Sequence, residues 1–594
     1  MKFEDYFSFE AIVGDLIRWR LRGKGTRGEN GRTDVEEVLP PRKMWSRAGV
    51  KDRKGVDPAV LRKQSILRTI LRYREPASPL PPHLYKSGGK QNRVRSAAKL
   101  KDEIWGRKLL ALVEEVQKAV FSGAVAFETP KMFEIEKGRE NGVKKVRRVA
   151  SFERLLDRVI LSRMTAYVRD VLEPSLTEHC YSFRSDPSIS HQLAIARLQE
   201  WRWAMTARPE SAPYRAAESI FVAECDIVKF FDSISHDVVR RCWDGMGFDA
   251  RAGKVLEAYL GVYAAGGADA QKRVPPSVAR RGLPQGGSLS TVLANLVLRV
   301  ADAAVQKVDD GQLFYARFCD DVVFAHPNEE GCRRAMEAYA EALRGLDLPL
   351  HPVEDFVYRP ADGSATEYYS IKSKGPFRWR EAGKGEVNCA PWVSFLGSQI
   401  RYDGETRIRK ESIEKHIRSL GRETAAAVRE IKDGKVGRAR RGEPSSASRG
   451  SAGRLALPCA AAWFARFRNR LIAKGVGYVT AKVQDCGMCW VGAFPNVTAC
   501  ADTKMQMRRL DRVREGMLSK VWSAFAKATA DRRIVGGTVA IGAPLPSQRS
   551  RGDRPTRRYK GRPFSYFGFL EKAVRPTNMA WRRVRTRALP YSEL

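Results

Sequence analysis

The stretch that most constrains this chain is residues 316–325, A-R-F-C-D-D-V-V-F-A. Two carboxylates, Asp320 and Asp321, stand side by side between apolar runs that read as strand, turn, strand. Burying an unpaired carboxylate is costly. A fold that keeps this pair must therefore supply a cation, either a basic side chain or a divalent metal.

A second acidic strand lies upstream. Residues 221–232 read F-V-A-E-C-D-I-V-K-F-F-D, with Asp226 closing an apolar run. A third stretch, R-G-L-P-Q-G-G-S-L-S-T-V-L-A-N-L-V-L at 281–298, is a Gly-rich turn leading into an apolar helix. Asp226 from one strand and Asp320 and Asp321 from a hairpin are expected to converge on two divalent cations. Mg²⁺, with Mn²⁺ as an alternative, prefers carboxylate and phosphate oxygens. Paired cations of this kind activate a hydroxyl and stabilise a leaving pyrophosphate, which is nucleotidyl transfer. Taken singly the pieces are weak: an Asp pair is usually a solvated turn, and a lone Asp226 reads equally as a helix cap.

The net charge of +38 over 594 residues favours a polyanion partner, most simply nucleic acid. The length implies two to four domains or one multi-lobed unit. No apolar run approaches the ~20 residues that span a bilayer, and M-K-F-E-D-Y-F-S-F-E-A-I-V at the start has no signal-peptide layout. The expectation is a cytoplasmic protein with no membrane partner, whose ten cysteines are reduced thiols.

The spacing predicts an amphipathic helix over 1–20, a mobile basic segment over 21–60, helices over 62–75 and 97–122, and a hairpin within 124–150 turning near Asn141-Gly142 or Gly138. A long helix is expected from Ser151, as its N-cap, to about Leu172. Strands alternating with helices over 219–400 argue for a mixed α/β unit. A helix over 411–432, a basic linker over 433–454 and mostly helices over 458–530 follow.

The ordered set D-I-x-x-F-F-D, L-P-Q-G-x-x-x-S-x-x-L-A-N and F-x-D-D resembles the reverse transcriptase family, in particular its bacterial branch of group II intron and retron enzymes. The resemblance covers roughly 125–400. K-K-V-R-R-V-A-S-F-E-R-L-L-D-R-V-I at 144–160 is similar to that family's basic fingers hairpin and following helix. C-Y-S-F-R-S-D-P-S-I-S at 180–190 is similar to its G-F-R-P-G-R-S segment, and W-V-S-F-L-G-S-Q-I at 392–400 to its primer-grip hairpin. The resemblance implies an α+β right-hand polymerase fold, fingers, palm and thumb, with a mainly helical C-terminal domain. The implied division is a basic, partly helical N-terminal extension over 1–122, fingers and palm over 123–410, a thumb-like helix and linker over 411–457, and a helical basic domain over 458–594.

It also implies roles. Asp226, Asp320 and Asp321 would be catalytic and hold the metals, joined by the backbone carbonyl of Ile227. Phe231 would crowd a ribose 2′-hydroxyl and select dNTPs, with a core aromatic as the plainer role. Gln285 and Gly286 would line the incoming nucleotide, and Arg147 or Arg148 would contact its triphosphate. Phe395, Leu396 and Gly397 would form the primer grip. Asn295 is expected to stabilise its own helix locally.

The chain also departs from the family. Phe318-Cys319 stands where Tyr-Ala is common, and Thr291 where Pro is common. L-D-L-P-L-H-P-V-E-D-F at 346–356 lacks the Lys that relatives place after the acid pair as proton donor. His351 is the substitute, with an ordinary strand-end histidine as the alternative. The insert over 370–391 is basic and aromatic and is expected to contact nucleic acid. Cys486, Cys489 and Cys500 invite a zinc reading but lack a fourth ligand at a standard spacing, so buried thiols are the simpler reading.

The resemblance implies an RNA-directed DNA polymerase that takes dNTPs, an RNA template and Mg²⁺ to a DNA product. Within the family the chain is most similar to defence-associated enzymes of the abortive-infection and unknown-group kind, so the expected setting is phage defence with an associated non-coding RNA. The alternatives are a group II intron maturase and a catalytically silent RNA-binding scaffold. A monomer and an oligomer both fit.

Overall fold

The computed structural model describes residues 2–41 with short breaks, parts of 66–70, 100–206 except 141, 142 and 187, 220–266, 280–354, 368–433 with short breaks, scattered positions between 463 and 500, then 501–530 and Tyr566.

Apolar residues three and four apart build the first layer. Helices α1 (Phe3–Tyr6) and α2 (Phe9–Leu21) bury Phe3, Ile12, Val13 and Leu16. In α3 (Ile104–Ser122) the stripe is Trp105, Leu109, Leu112, Val113, Val116 and Val120. Gly123, at φ 71°, ends that helix in the left-handed conformation that spares only glycine a steric cost. Leu100 lies in a turn before α3, so the helix expected from residue 97 starts seven residues later. The helix expected over 1–20 breaks at Phe7-Ser8 into two. These helices share one core cluster with residues far along the chain, such as Tyr259 and Leu293, so the expected boundary at 122/123 does not divide the packing.

Strands β1 (Lys131–Glu140) and β2 (Val143–Ser151) form the predicted antiparallel hairpin. Ser151 does not cap a helix; it ends β2, paired with Lys131. Helix α4 (Leu155–Leu172) begins after Arg154. The hairpin ladder claims Ser151, and Arg154 takes the N-cap position with no side-chain cap; Asp157 in the first helical turn accepts from the Glu128 N–H and the Arg154 side chain and so ties the helix start to the preceding segment.

Helix α5 (His191–Thr206) precedes β3 (Phe221–Cys225). Helices α6 (His236–Asp244), α7 (Ala250–Gly266) and α8 (Ser288–Lys307) come before β4 (Phe314–Phe318) and β5 (Asp321–His326). Helix α9 (Glu329–Gly345), β6 (Val353–Glu354) and β7 (Ser373–Arg378) complete the unit. The five strands lie in the order β4-β5-β3-β7-β6, antiparallel except for the β6–β7 pair.

Side chains alternate across the sheet. Ala223, Cys225, Val322 and Phe324 face the core shared with the N-terminal helices. Val222, Val323, Ala316 and Ala325 face a second core with Leu198, Trp201 and Phe377. Both faces are covered, which is why these strands read as unbroken apolar runs.

Helix α8 corrects one expectation: by length and composition alone it is apolar enough to cross a membrane. Its apolar window is 67% buried within the protein, and that burial accounts for its composition.

Part of the segment 370–391 is built into the sheet. Ser373–Arg378 forms a buried strand against β3, and Lys374 pairs with Glu224 at 2.6 Å with its side chain 2% exposed. Its charge balances a buried carboxylate in the sheet.

A three-stranded sheet follows: β8 (Trp392–Phe395), β9 (Ser398–Arg401) and β10 (Thr406–Ile408). Helix α10 (Lys410–Lys432) packs on the long helix α11 (Ala501–Ala530) through Leu420, Ala427, Ile431 and Val521. Between them a small hairpin, Tyr478–Thr480 with Val483–Asp485, replaces part of the helix expected over 458–530. The 434–454 linker, Cys486 and Cys489 lie outside the described residues. Cys500 is described, with its Sγ 3.2 Å from Thr503 Oγ1.

Candidate functional site

Register brings the three acids together. Cys225 is paired with Val322 and Phe318 with Asp321, so β3 and the β4–β5 hairpin release Asp226, Asp320 and Asp321 at one end of the sheet. The Asp226 N–H donates to Ser373 Oγ at 3.2 Å, which ties its backbone to β7. Withdrawal from water raises the Asp320 carboxyl, and the Asp226 charge adds to the rise. Withdrawal from water likewise pushes Asp321 up to about 6, reinforced by Asp320 and then Asp226 and opposed by the Lys372 ammonium. Asp321 is crowded by protein on one side, yet its side chain remains open to solvent on the other.

Sequence reasoning missed Lys372. Its Nζ donates to Asp226 Oδ2 at 2.7 Å, from a side chain 62% exposed. The signal was the basic I-K-S-K at 371–374, which runs into β7, but only the pairing of β7 with β3 shows where it leads. Among the described residues no group of three or more His, Cys, Asp or Glu forms a ready metal cage. Mg²⁺ seldom uses such cages; it takes one or two carboxylates and completes its shell with water and substrate phosphate. The hard oxygen donors and the ammonium standing against Asp226 fit a cation at this end of the sheet.

Ile227 is bridged to Leu350 and its side chain is buried, which leaves only its backbone for a ligand. The 349–351 segment runs back along 226–228: the Val228 N–H donates to Pro349 O at 2.8 Å and the His351 N–H to Asp226 O at 3.0 Å. His351 is thus brought beside Asp226. Phe231 is half-buried, packed on Phe230 with ring centroids 5.2 Å apart, and its carbonyl accepts from the Leu283 N–H at 2.7 Å. That bond joins the Phe231 turn to the Gly-rich loop.

In the loop, Gln285 Nε2 lies 3.4 Å from Asp232 Oδ1, and the Gln285 carbonyl accepts from the Ala150 N–H at 2.6 Å. Gly286 has φ +104° and faces Ala150 O and Val149 Cγ1, each 2.7 Å from where a Cβ would sit. The base of the β1–β2 hairpin therefore rests on this loop. Arg147 and Arg148 lie on β2 opposite Ile135 and Glu134; their side chains lie outside the described residues.

Phe395, Leu396 and Gly397 form the β8–β9 turn. Leu396 (φ 51°) and Gly397 (φ 80°) are both left-handed, as a two-residue hairpin turn requires. Phe395 is 3% exposed and anchors the hairpin in the second core, so Leu396 is the half-exposed tip.

Asn295 corrects the local role expected of it. Its amide reaches across to Ser182, donating to Ser182 O at 2.7 Å and accepting from Ser182 Oγ at 3.0 Å, and it also accepts from Arg317 at 3.1 Å.

An α+β unit that gathers three carboxylates at one end of an antiparallel sheet, next to a Gly-rich loop and a basic hairpin, has the layout of a nucleotidyltransferase. Residues 135–353 match the family model described as reverse transcriptase (RNA-dependent DNA polymerase), so that segment of the chain is similar to a reverse transcriptase domain. No curated protein matches the chain.

Solved structures that it overlaps include telomerase from Candida albicans in complex with a fragment of telomeric RNA, at 10% identity and a TM-score of 0.31, covering 72% of this chain and 64% of that one. Apo telomerase from Candida tropicalis overlaps at 10% identity and 0.33, covering 70% and 67%. A C-terminally truncated form of the latter gives 10% and 0.28, covering 51% and 60%. The chain thus spans 64% of the length of the first of these. Overlaps this loose carry no argument about the site.

Proposed function

We propose that the whole protein is an active reverse transcriptase that extends a primer on an RNA template with dNTPs. The observation that carries this reading is the strand register, which delivers Asp226, Asp320 and Asp321 to one end of the sheet. In this reading the five-stranded sheet is the palm, the β1–β2 hairpin the fingers and α10 the thumb.

Asp226, Asp320 and Asp321, with the Ile227 carbonyl, would hold two Mg²⁺, which would supply Lewis acidity to the primer 3′-oxygen and to the leaving pyrophosphate. The primer 3′-hydroxyl loses its proton to water, its oxygen joins the α-phosphorus, and the bond to pyrophosphate breaks. Gln285 and Gly286 line the nucleotide, Phe231 crowds a ribose 2′-hydroxyl, and Arg147 or Arg148 meets the triphosphate. His351, beside Asp226, passes a proton to pyrophosphate. Leu396 and Gly397, anchored by Phe395, grip the primer. Lys372 Nζ, 2.7 Å from Asp226 Oδ2, balances the Asp226 charge and would have to give way to a bound cation.

The +38 charge suits an RNA partner, and a non-coding RNA in phage defence within the cytoplasm is the setting we favour. A long basic region ahead of the domain supports that setting over an intron maturase. The intact acid triad argues against a silent scaffold, because clustered carboxylates without a cation repel one another.

Asp320→Ala with Asp321→Ala should abolish dNTP incorporation, by at least about 1,000-fold, and leave RNA binding near wild type. A double variant that still polymerises would remove these residues from the chemistry.

A further inference from the structure

Behind the acid pair lies a fully buried polar cluster. Arg317, Asp302 and Ser182 are each 0% exposed and Asn295 1%. Arg317 Nε and Nη2 donate to the two Asp302 oxygens at 2.7 and 2.6 Å, and Tyr315 OH donates to the same carboxylate at 2.7 Å. The charge is thus balanced inside the protein. Arg317 Nη1 is left to reach forward, donating to Asn295 Oδ1 at 3.1 Å and to the Cys319 carbonyl at 3.3 Å.

Cys319 is the residue before the acid pair, and its backbone is left-handed at φ 62°. A non-glycine residue holds that conformation only when its surroundings enforce it. Here both of its backbone polar groups are held: the carbonyl by Arg317, and the N–H by Ser182 Oγ at 3.0 Å. Ser182 is itself fixed. The Tyr181 N–H donates to Arg317 O at 2.9 Å and the Arg317 N–H to His179 O at 2.8 Å, so Cys180 is bridged to Arg317 and the segment is held against β4. Arg184 pins the far side of this segment through the Thr177 and Cys180 carbonyls and Glu173.

We propose that Ser182 is a positioning residue for the acid pair: with Arg317 and Asn295 it clamps both backbone polar groups of Cys319 and so fixes where Asp320 and Asp321 project. The clamp acts through the turn and touches no substrate. It rests on the reading of Asp320 and Asp321 as cation ligands.

The test is Mn²⁺ binding by calorimetry, with dNTP kinetics, on the full chain. Ser182→Ala should weaken Mn²⁺ binding and lower kcat, each about 10- to 100-fold as for partners that orient a metal ligand. KM for dNTP should change little. Adding Cys319→Gly should recover part of both losses, because glycine adopts φ 62° without a Cβ penalty. Adding Cys319→Ala, which removes the thiol but keeps that penalty, should recover neither. Ser182→Cys, near-isosteric with a weaker acceptor, should show a smaller loss of the same kind, and it serves if Ser182→Ala does not fold.

Wild-type Mn²⁺ affinity and kcat in folded Ser182→Ala would overturn the clamp. So would equal recovery by Cys319→Gly and Cys319→Ala. A wild-type protein whose Mn²⁺ binding is unaffected by Asp320→Asn with Asp321→Asn would overturn the metal reading itself, and the clamp with it.

Discussion

Asp321 shows how one residue couples the fold to its chemistry. Withdrawal from water, then Asp320 and Asp226, push its carboxyl up to about 6 from an ordinary 3.8. A raised value in the folded state means the native protein holds a proton that the unfolded chain has lost. That contribution to stability is complete below about pH 3.8 and is lost as the pH rises through about 6. A cation needs the ionised form, so Mn²⁺ affinity should rise between pH 5 and pH 7, with proton release on binding that shrinks as the pH passes 6. Calorimetry in buffers of different ionisation enthalpy reads the released protons; pH-independent affinity would contradict the coupling. The three acids were legible in the sequence because charges flanked by apolar runs demand a partner. Lys372 was not legible: 146 positions separate it from Asp226. Ser182 was not legible either, because its hydrogen bonds to Cys319 and Asn295 exist only once the chain is folded.

At the scale of elements, the Gly-rich loop and the hairpin act as one piece. The Ala150 N–H is bonded to the Gln285 carbonyl, and a Cβ on Gly286 would meet Ala150 O and Val149 Cγ1. Gly286→Ala should cost about 1–3 kcal/mol through its φ of +104° alone. By pushing the hairpin off the loop it should also raise KM for dNTP more than it lowers kcat. Denaturation and steady-state kinetics check both, and a variant with wild-type stability and KM would show that the loop does not support the hairpin. The hairpin, α8 and the β4–β5 pair were predicted from periodicity and turn residues. Strand β7 was not, because S-K-G-P-F-R contains the Gly and Pro that usually exclude a central strand, and its basic residues read as surface charge. Its lysine is buried only because Glu224 lies on the neighbouring strand.

At the scale of the molecule, two apolar cores sandwich the five-stranded sheet and fix its acid-bearing end, while the +38 charge gives a polyanion reason to bind. The α+β class was legible from the ordered motifs; the boundary expected at 122/123 was not a boundary of packing. The docking of α1 and α2 into the same core as α4 and α8 was not, since a basic composition says nothing about which apolar stripe finds which partner. The central claim is that this arrangement copies RNA into DNA. The direct measurement is single-nucleotide extension of a DNA primer annealed to an RNA template of defined sequence, with purified protein and Mg²⁺, offering each dNTP in turn. The account predicts addition of only the dNTP complementary to the template base, lost in Asp320→Asn with Asp321→Asn. No extension with any dNTP, or equal extension by that variant, would contradict it.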